Sequence, residues 1–157
     1  MDIKGYTEKV LSALPKGAIK SVQEFRGQIS LSVEPERIID VLKLLRDRFG
    51  YRYLIDLTAV DHLPNEPRFE VVYHLWCHAE KRLIRVKSYA KGDPPHISSV
   101  VGLWSTANWH ERECYDMFGI IFDGHPDLRR ILLWEGFDGH PLRKDYPVEG
   151  KDEKRNN

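Results

Sequence analysis

Cysteine is scarce in this sequence, which contains only Cys77 and Cys114 among 157 residues. Two thiols are too few for a disulfide framework, and in a reducing compartment they remain free. The sequence also lacks a run of about 20 apolar residues, the length that crosses a bilayer, and its first residues lack the apolar core of a signal peptide. We therefore expect a cytoplasmic protein that reaches a membrane only through partners.

An excess of charge of either sign is also missing, because 24 basic residues balance 24 acidic ones. This balance removes the long-range positive field of a typical nucleic-acid-binding protein and makes duplex binding an unattractive function. The remaining composition, 41% hydrophobic and 31% charged, is that of an ordinary globular protein. The length suits one domain with a core of its own.

Hydrophobic periodicity and turn residues predict an α+β fold. The sheet is expected to be largely antiparallel, with helices packed on one face, and to be followed by an extended C-terminal arm. We assign residues 1–119 to the α+β domain and residues 120–157 to the arm, within one structural unit. Helices are predicted at 3–14, 35–49, 97–104 and 108–119, and strands at 18–25, 28–33, 51–60, 68–77 and 82–89.

The predicted helix at 108–119 carries an acidic residue on its apolar side. On a helical wheel Glu111 falls within the apolar arc, where an unpaired carboxylate is costly. We expect Glu111 either to form a capping box with Asn108 or to pair with an arginine of the arm. The apolar arc consists of Cys114, Tyr115, Met117 and Phe118, and the opposite side consists of Arg112, Glu113 and Asp116.

The tetrad Asp-Gly-His-Pro occurs twice, at 123–126 and at 138–141. Imidazole and carboxylate are good ligands for transition metals, so a metalloenzyme that uses His125 and His140 is one hypothesis. Zinc ligands are usually closer together and lie on rigid elements, whereas each of these histidines precedes a proline. Glycine and proline in this arrangement favour two turns of similar shape.

Basic pairs follow both tetrads, at Arg129-Arg130 and at Arg143-Lys144. Guanidinium groups suit phosphate, but no glycine-rich loop that opens a helix accompanies them. Between residues 123 and 145 there are four basic and five acidic side chains. This balance favours ion pairs within or between proteins over the binding of a polyanion, and it also weighs against an RNA-binding module built on tryptophans and arginines.

The predicted arm is rich in large apolar side chains that follow no helical or strand period. Apolar residues interleaved with arginines are typical of the buried centre of a protein interface. We therefore interpret the arm as a segment that a partner covers. The residues concerned are Ile120, Ile121, Phe122, Leu128, Ile131, Leu132, Leu133, Trp134, Phe137, Leu142 and Tyr146.

Residues 111–147, ERECYDMFGIIFDGHPDLRRILLWEGFDGHPLRKDYP, resemble the signature of a known family. The stretches DLTAVD at 56–61 and EPRFEVVYHL at 66–75 are similar to the same family. It is the 30 kDa-type subunit of bacterial respiratory NADH:quinone oxidoreductase (complex I). Equivalent subunits of membrane-bound hydrogenases and ferredoxin-dependent complexes are the nearest alternative.

The resemblance implies a structural subunit of the peripheral arm of a proton-translocating enzyme, without an active site of its own. Its expected partners are the large quinone-pocket subunit and neighbouring iron–sulfur subunits, at the cytoplasmic face of the cell membrane. FMN, iron–sulfur clusters and quinone are expected in those partners and not in this chain. Two cysteines agree with this expectation, since several thiolates are needed to hold a cluster.

The resemblance further assigns a set of residues to structure and docking, and none to catalysis, to a cofactor or to a metal. These residues are Glu111, Arg112, Glu113, Asp116, Gly119, His125, Pro126, Asp127, Arg129, Arg130, Gly139, Pro141, Leu142, Arg143, Lys144, Asp145 and Pro147.

Overall fold

The computed structural model describes residues 3–150, so the last part of the predicted arm, residues 151–157, lies outside the described residues. The chain forms, in order, α1 (Ile3–Ala13), β1 (Ile19–Phe25), β2 (Gln28–Val33), a 3₁₀ turn (Pro35–Arg37), α2 (Ile38–Phe49), β3 (Tyr53–Asp61), β4 (Phe69–Cys77), β5 (Arg82–Tyr89), β6 (His96–Ser98), α3 (Ala107–Phe118) and β7 (Ile121–Asp123).

The main sheet has five strands in the order β1-β2-β5-β4-β3. Three of its four pairings are antiparallel, and β2 pairs with β5 in parallel. The parallel pair is possible because α2, β3 and β4 separate these strands along the chain. A smaller sheet pairs β6 with β7 in parallel. The predicted α+β class with a largely antiparallel sheet is confirmed.

The core lies on one face of the main sheet, which we call the inner face. In β4 the alternate residues Val71, Tyr73 and Leu75 are fully buried there, as the two-residue period of a strand requires. Residues of all three helices join the same hydrophobic cluster. The opposite, outer face carries the remaining side chains of each strand, and in β5 these are half-buried.

The predicted helix at 97–104 is wrong. Residues His96–Ser98 form β6, and the chain then turns, with the backbone N–H of Trp104 donating to the carbonyl of Val100 at 3.1 Å. A short apolar run fits a helix or a buried strand equally well by periodicity. Pairing with β7, more than twenty residues later in the chain, decides between them.

The predicted partners of Glu111 are also wrong. The cap of α3 is Thr106, without a side-chain hydrogen bond. The buried Glu111 carboxylate instead accepts the Ser99 hydroxyl and the Val100 backbone N–H, both at 2.6 Å. These donors come from the turn after β6, which sequence spacing within the helix does not reveal. Glu111 thus fastens α3 to that turn.

Candidate docking surface

Residues 124–150, which we call the C-terminal segment, contain no helix or strand and lie along α3. Gly119 ends α3 with a φ of 73°, a left-handed conformation that glycine adopts without strain. β7 then runs beside β6, so the small parallel sheet fixes where the C-terminal segment starts. Without regular structure, its backbone groups need other partners.

The carboxylate of Asp116 is the main anchor of the C-terminal segment. This carboxylate is fully buried, and its Oδ2 accepts backbone N–H groups at 2.8–3.0 Å. Its Oδ1 accepts the Arg130 guanidinium at 2.7 Å. Burial raises the pKa of Asp116, but these donors outweigh burial and leave the pKa below its usual value. The three backbone donors are Ile131, Leu132 and Leu133.

Two guanidinium groups satisfy backbone carbonyls of the same segment. Arg130 Nη2 donates to the carbonyls of Phe137 at 2.9 Å and Gly139 at 3.0 Å. Arg112, which is 8% exposed, donates to the carbonyls of Arg129 at 3.1 Å and Arg130 at 2.9 Å. Charge-assisted bonds of this kind are stronger than neutral ones, so they hold an irregular chain in one path.

The second tetrad continues this path along the end of α3. His140 Nδ1 donates to the Asp116 carbonyl at 2.9 Å, and burial lowers the pKa of this histidine, so its ring is neutral. The Leu142 backbone N–H donates to the Met117 carbonyl at 3.1 Å. Arg143 donates to the last carbonyl of α3. The helix C-terminus, which leaves carbonyls without intrahelical partners, is thereby satisfied.

A second anchor lies at the end of β3. Asp61 is 5% exposed and accepts the Arg68 guanidinium at 2.8 and 2.9 Å, together with the backbone N–H groups of Leu63 and Lys144. Arg68 also donates to Asp145 at 2.7 and 3.1 Å. Burial raises the pKa of Asp61, but Arg68 and the backbone donors outweigh it and lower the pKa well below its usual range.

Asp61 and Arg68 are functional residues that the sequence analysis missed. Both lie in the stretches that carry the family resemblance, but neither was assigned a role. The available signal was an aspartate at the end of an otherwise apolar strand, since a buried carboxylate requires a partner. Its backbone partner, Lys144, is 83 residues away in sequence.

Both tetrads form turns, as the sequence predicts. Gly124 and Gly139 have positive φ angles of 84° and 96°. His125 Nδ1 accepts the Asp127 backbone N–H at 2.9 Å, and its Nε2 donates to the Asn108 carbonyl at 3.2 Å. Within residues 3–150, no group of three or more His, Cys, Asp or Glu side chains could hold a metal ion. The described histidines of the tetrads thus serve backbone groups.

The wheel-based expectation that Arg112 and Asp116 face solvent is wrong, because the C-terminal segment covers that side of α3. Both are buried, as are Glu111 and Gly119. The other predicted docking residues lie at or near the surface: His125, Arg130, Gly139, Pro141 and Arg143 are half-buried, and Glu113, Pro126, Asp127, Arg129, Leu142, Lys144, Asp145 and Pro147 are exposed.

Several large apolar side chains of the anchored segment point outward. Leu132 is 63% exposed, Trp134 66% and Leu142 55%, and we call these three residues the docking surface. Trp134 contacts the edge of the Phe137 ring at a centroid distance of 4.9 Å. A cavity of about 760 Å³ opens beside them and is lined by Trp134, Phe137, Pro141, Tyr146 and Pro147 among others.

These features define a class of protein: an α+β domain whose C-terminal segment is fastened to its own last helix and presents apolar side chains to its surroundings. None of the helices within residues 3–150 is long and apolar enough to cross a membrane. Residues 31–152 match the family described as respiratory-chain NADH dehydrogenase, 30 Kd subunit. The chain belongs to this family.

Curated relatives agree with this assignment. An NADH-quinone oxidoreductase subunit of Rhizobium meliloti (strain 1021) is 46% identical over 142 residues, which cover 89% of this chain and 78% of the relative. An NADH-quinone oxidoreductase subunit of Citrifermentans bemidjiense is 50% identical over 135 residues, which cover 86% and 84% of the two chains. The predicted family, the 30 kDa-type subunit of complex I, is confirmed.

Solved structures carry the same fold. A trypsin-resistant fragment (1–134) of Nqo5 superposes with a TM-score of 0.67 at 30% identity and covers 82% of this chain and 100% of that fragment. A chain of an archaeal respiratory membrane complex, the membrane-bound sulfane sulfur reductase, superposes with a TM-score of 0.78 at 23% identity and covers 92% and 85%. The second likeness concerns the fold alone.

Proposed function

We propose that this chain is a non-catalytic docking subunit of a proton-translocating NADH:quinone oxidoreductase. The observation that carries the proposal is the outward placement of Leu132, Trp134 and Leu142 on a backbone that Asp116 holds from below. A segment fixed in advance loses little conformational freedom on binding, which favours association. Large apolar side chains that remain exposed are suited to a partner that covers them.

The partners in this proposal are other subunits of the peripheral arm, chiefly the large quinone-pocket subunit and the neighbouring iron–sulfur subunits. Those subunits hold FMN, the iron–sulfur clusters and quinone, and this chain holds none of them. Its role in electron transfer from NADH to quinone is to keep the quinone-pocket subunit in place. Two observations support this role: the family membership and the use of the tetrad histidines for backbone contacts.

The proposal places the chain at the cytoplasmic face of the cell membrane, where other subunits hold it. The predicted docking residues divide the work. Asp116, Arg112, Arg130 and Arg143 shape the C-terminal segment from beneath, and the exposed residues, among them Arg129, form the contact itself.

The test is a double substitution, Leu132→Ser with Trp134→Ser, in the full chain expressed from its native locus. We expect the variant to fold with an unchanged melting temperature, because both side chains are exposed, and to lose most of its recovery in the large assembly. The measurements are the amount of the chain that comigrates with iron–sulfur and flavin subunits on a native gel, and the NADH:quinone activity of membranes.

The matched control is Val22→Ser, which removes an apolar side chain that is 39% exposed on β1, in a different part of the domain. The control should assemble like the wild type. Normal assembly and normal membrane activity of the double variant would overturn the proposal.

A further inference from the structure

One cross-strand row of side chains on the outer face of the main sheet differs from the others. The registers place Phe25 opposite Gln28 and place Trp76 between Tyr53 and Leu83. The parallel register of β2 with β5 sets Gln28 beside Leu83, because Ile29 and Ile84 are partners one residue later. A single row, which we call the aromatic row, thus crosses all five strands.

The aromatic row is most accessible at its two ends. Phe25 on one edge strand is 65% exposed, and Tyr53 on the other edge strand is 53% exposed. Ile55, at the irregularity in the pairing of β3, adds a further apolar side chain that is 52% exposed. Trp76 and Leu83 between them are half-buried. The row is therefore an apolar strip on an otherwise polar face, and no helix of the described chain covers it.

The charges on this face argue against a polyanion or a membrane surface as the occupant. In the neighbouring rows Arg85 and Lys87 are offset by Asp56 and Glu70, so the face has no net formal charge. Lys87 Nζ lies 3.6 Å from Glu70. Nucleic acids and anionic lipids are attracted by a cationic excess, which is missing here. An uncharged apolar strip of another protein remains the fitting occupant.

The size of the row limits how such a partner is held. Four strand spacings of about 4.8 Å give a length of roughly 19 Å, and such a strip offers a small fraction of the roughly 800 Å² per partner that a stable interface buries. A second copy of this chain, bound through the row alone, would dissociate. A subunit that is already held by another contact gains from the row through a high effective concentration.

We propose that the aromatic row is a second docking site, and that it binds an apolar strip of a neighbouring protein subunit within the assembly that the docking surface joins. The inference rests on the proposed function, since the row is too small to recruit a partner by itself. The row and the docking surface then hold the chain at two separate places, which fixes its orientation in the assembly.

The test uses the full chain in its native cell with a photo-crosslinking amino acid at one position at a time. Positions 25 and 53 probe the two ends of the row, and position 134 probes the docking surface. Position 22 is the matched control, because Val22 lies on the same strand as Phe25 but points to the other face. Crosslinked peptides are identified by mass spectrometry after the assembly is purified.

We expect positions 25 and 53 to crosslink to two places on one neighbouring subunit, and position 22 to give no such product. The absence of a protein crosslink from positions 25 and 53, or crosslinks to lipid or nucleic acid, overturns the inference. A crosslink from position 134 in that experiment would leave the proposed function standing. A failure at all three positions would remove both.

A double substitution gives an independent readout. Phe25→Thr with Tyr53→Thr removes both exposed rings and keeps good strand residues. We expect a several-fold loss of this chain from the assembly on washing with increasing salt and detergent, with retention of the Val22→Thr control. Equal retention of the double variant and the control would also contradict the inference.

Discussion

Glu111 and Asp116 are two buried carboxyl groups on α3 that the protein treats in opposite ways. Asp116 receives three backbone N–H groups and a guanidinium, so its ionised form is favoured. Glu111 receives only the Ser99 hydroxyl and one backbone N–H, and burial raises the pKa of Glu111 to about 7. The number and charge of the donors therefore decide the protonation state of each group.

The raised pKa of Glu111 predicts a pH-dependent stability difference for Glu111→Gln. The folded pKa of about 7 exceeds the ordinary value of 4.5, so the wild type loses stability as the pH rises between these values. Glutamine does not ionise and can still bond Ser99 and Val100. We expect the free energy of unfolding of the variant to gain on that of the wild type by roughly 1.4 kcal/mol for each pKa unit, a few kcal/mol in all.

Chemical denaturation of both chains at a series of pH values from acid to mildly alkaline measures this difference. The gain should be complete above pH 7 and absent near pH 4.5, where folded and unfolded chains are both protonated. Two stability curves that stay parallel across this range would show that Glu111 is not held protonated by burial.

Asp116→Asn tests the anchor of the C-terminal segment. The amide is the same size but carries no charge, so Arg130 is left half-buried without its carboxylate and one backbone donor competes with the new amide hydrogens. We expect a loss of about 3 kcal/mol in the free energy of unfolding, as for other broken buried ion pairs. Hydrogen exchange should accelerate first at residues 131–133.

Asp127→Asn is the matched control for this substitution. Asp127 also pairs with an arginine, Arg129, at 2.8 Å, but both side chains are exposed. Exposed pairs contribute little, so the stability should hardly change. Similar losses for the two variants would contradict the view that Asp116 is the anchor.

At the scale of elements, the end of α3 is where helix and C-terminal segment fit together most closely. A Cβ on Gly119 would lie 2.5 Å from Arg143 Nη2 and 2.6 Å from the His140 ring. The missing side chain thus makes room for the second tetrad, in addition to permitting the left-handed φ of the helix cap. One glycine serves both the end of the helix and the packing of the segment.

The substitutions Gly119→Ala and Gly124→Ala separate these two effects. Both glycines have positive φ angles, 73° and 84°, but a Cβ on Gly124 would meet nothing within 4 Å. Gly124→Ala should cost about 1 kcal/mol, which is the backbone penalty alone. Gly119→Ala should cost clearly more and should release the segment around His140, as measured by thermal unfolding and by proteolysis. Equal losses would show that the close packing at Gly119 does not matter.

At the scale of the whole molecule, the domain and the C-terminal segment depend on pH in different ways. The pKa values of Asp61, Asp116 and Asp145 are all lowered, and each of these groups holds the segment to the domain. Their contribution is fully present above the ordinary pKa of 3.8 and is lost as the pH falls below it. Protonation of Glu111, in contrast, favours the folded domain.

Mild acid should therefore loosen the C-terminal segment before the sheet unfolds. Pulsed hydrogen exchange at about pH 3 and at pH 6 should show faster exchange in residues 124–150 at the lower pH, with continued protection of β4, Phe69–Cys77. Simultaneous loss of protection in both regions would mean that the segment and the sheet unfold as one unit.

Local elements with strong periodicity follow from the amino-acid order alone. In β4 every second residue is apolar, which places Val71, Tyr73 and Leu75 on one face, and Gly50 ends α2 in the left-handed conformation that its position predicts. The two tetrads were predictable as turns because glycine and proline act on the backbone next to them. The family followed from a long stretch of residues, which is far more specific than any short spacing.

The partners of the buried charges, in contrast, depend on how distant parts of the chain pack together. Asp116 was placed toward solvent by the helical wheel, because a wheel takes no account of a segment that returns over the helix. Asp61 and Lys144 meet across 83 residues, and β6 is a strand because β7 pairs with it. Periodicity reports the preferences of neighbours along the chain, whereas hydrogen bonds between distant residues form only once the whole chain has folded.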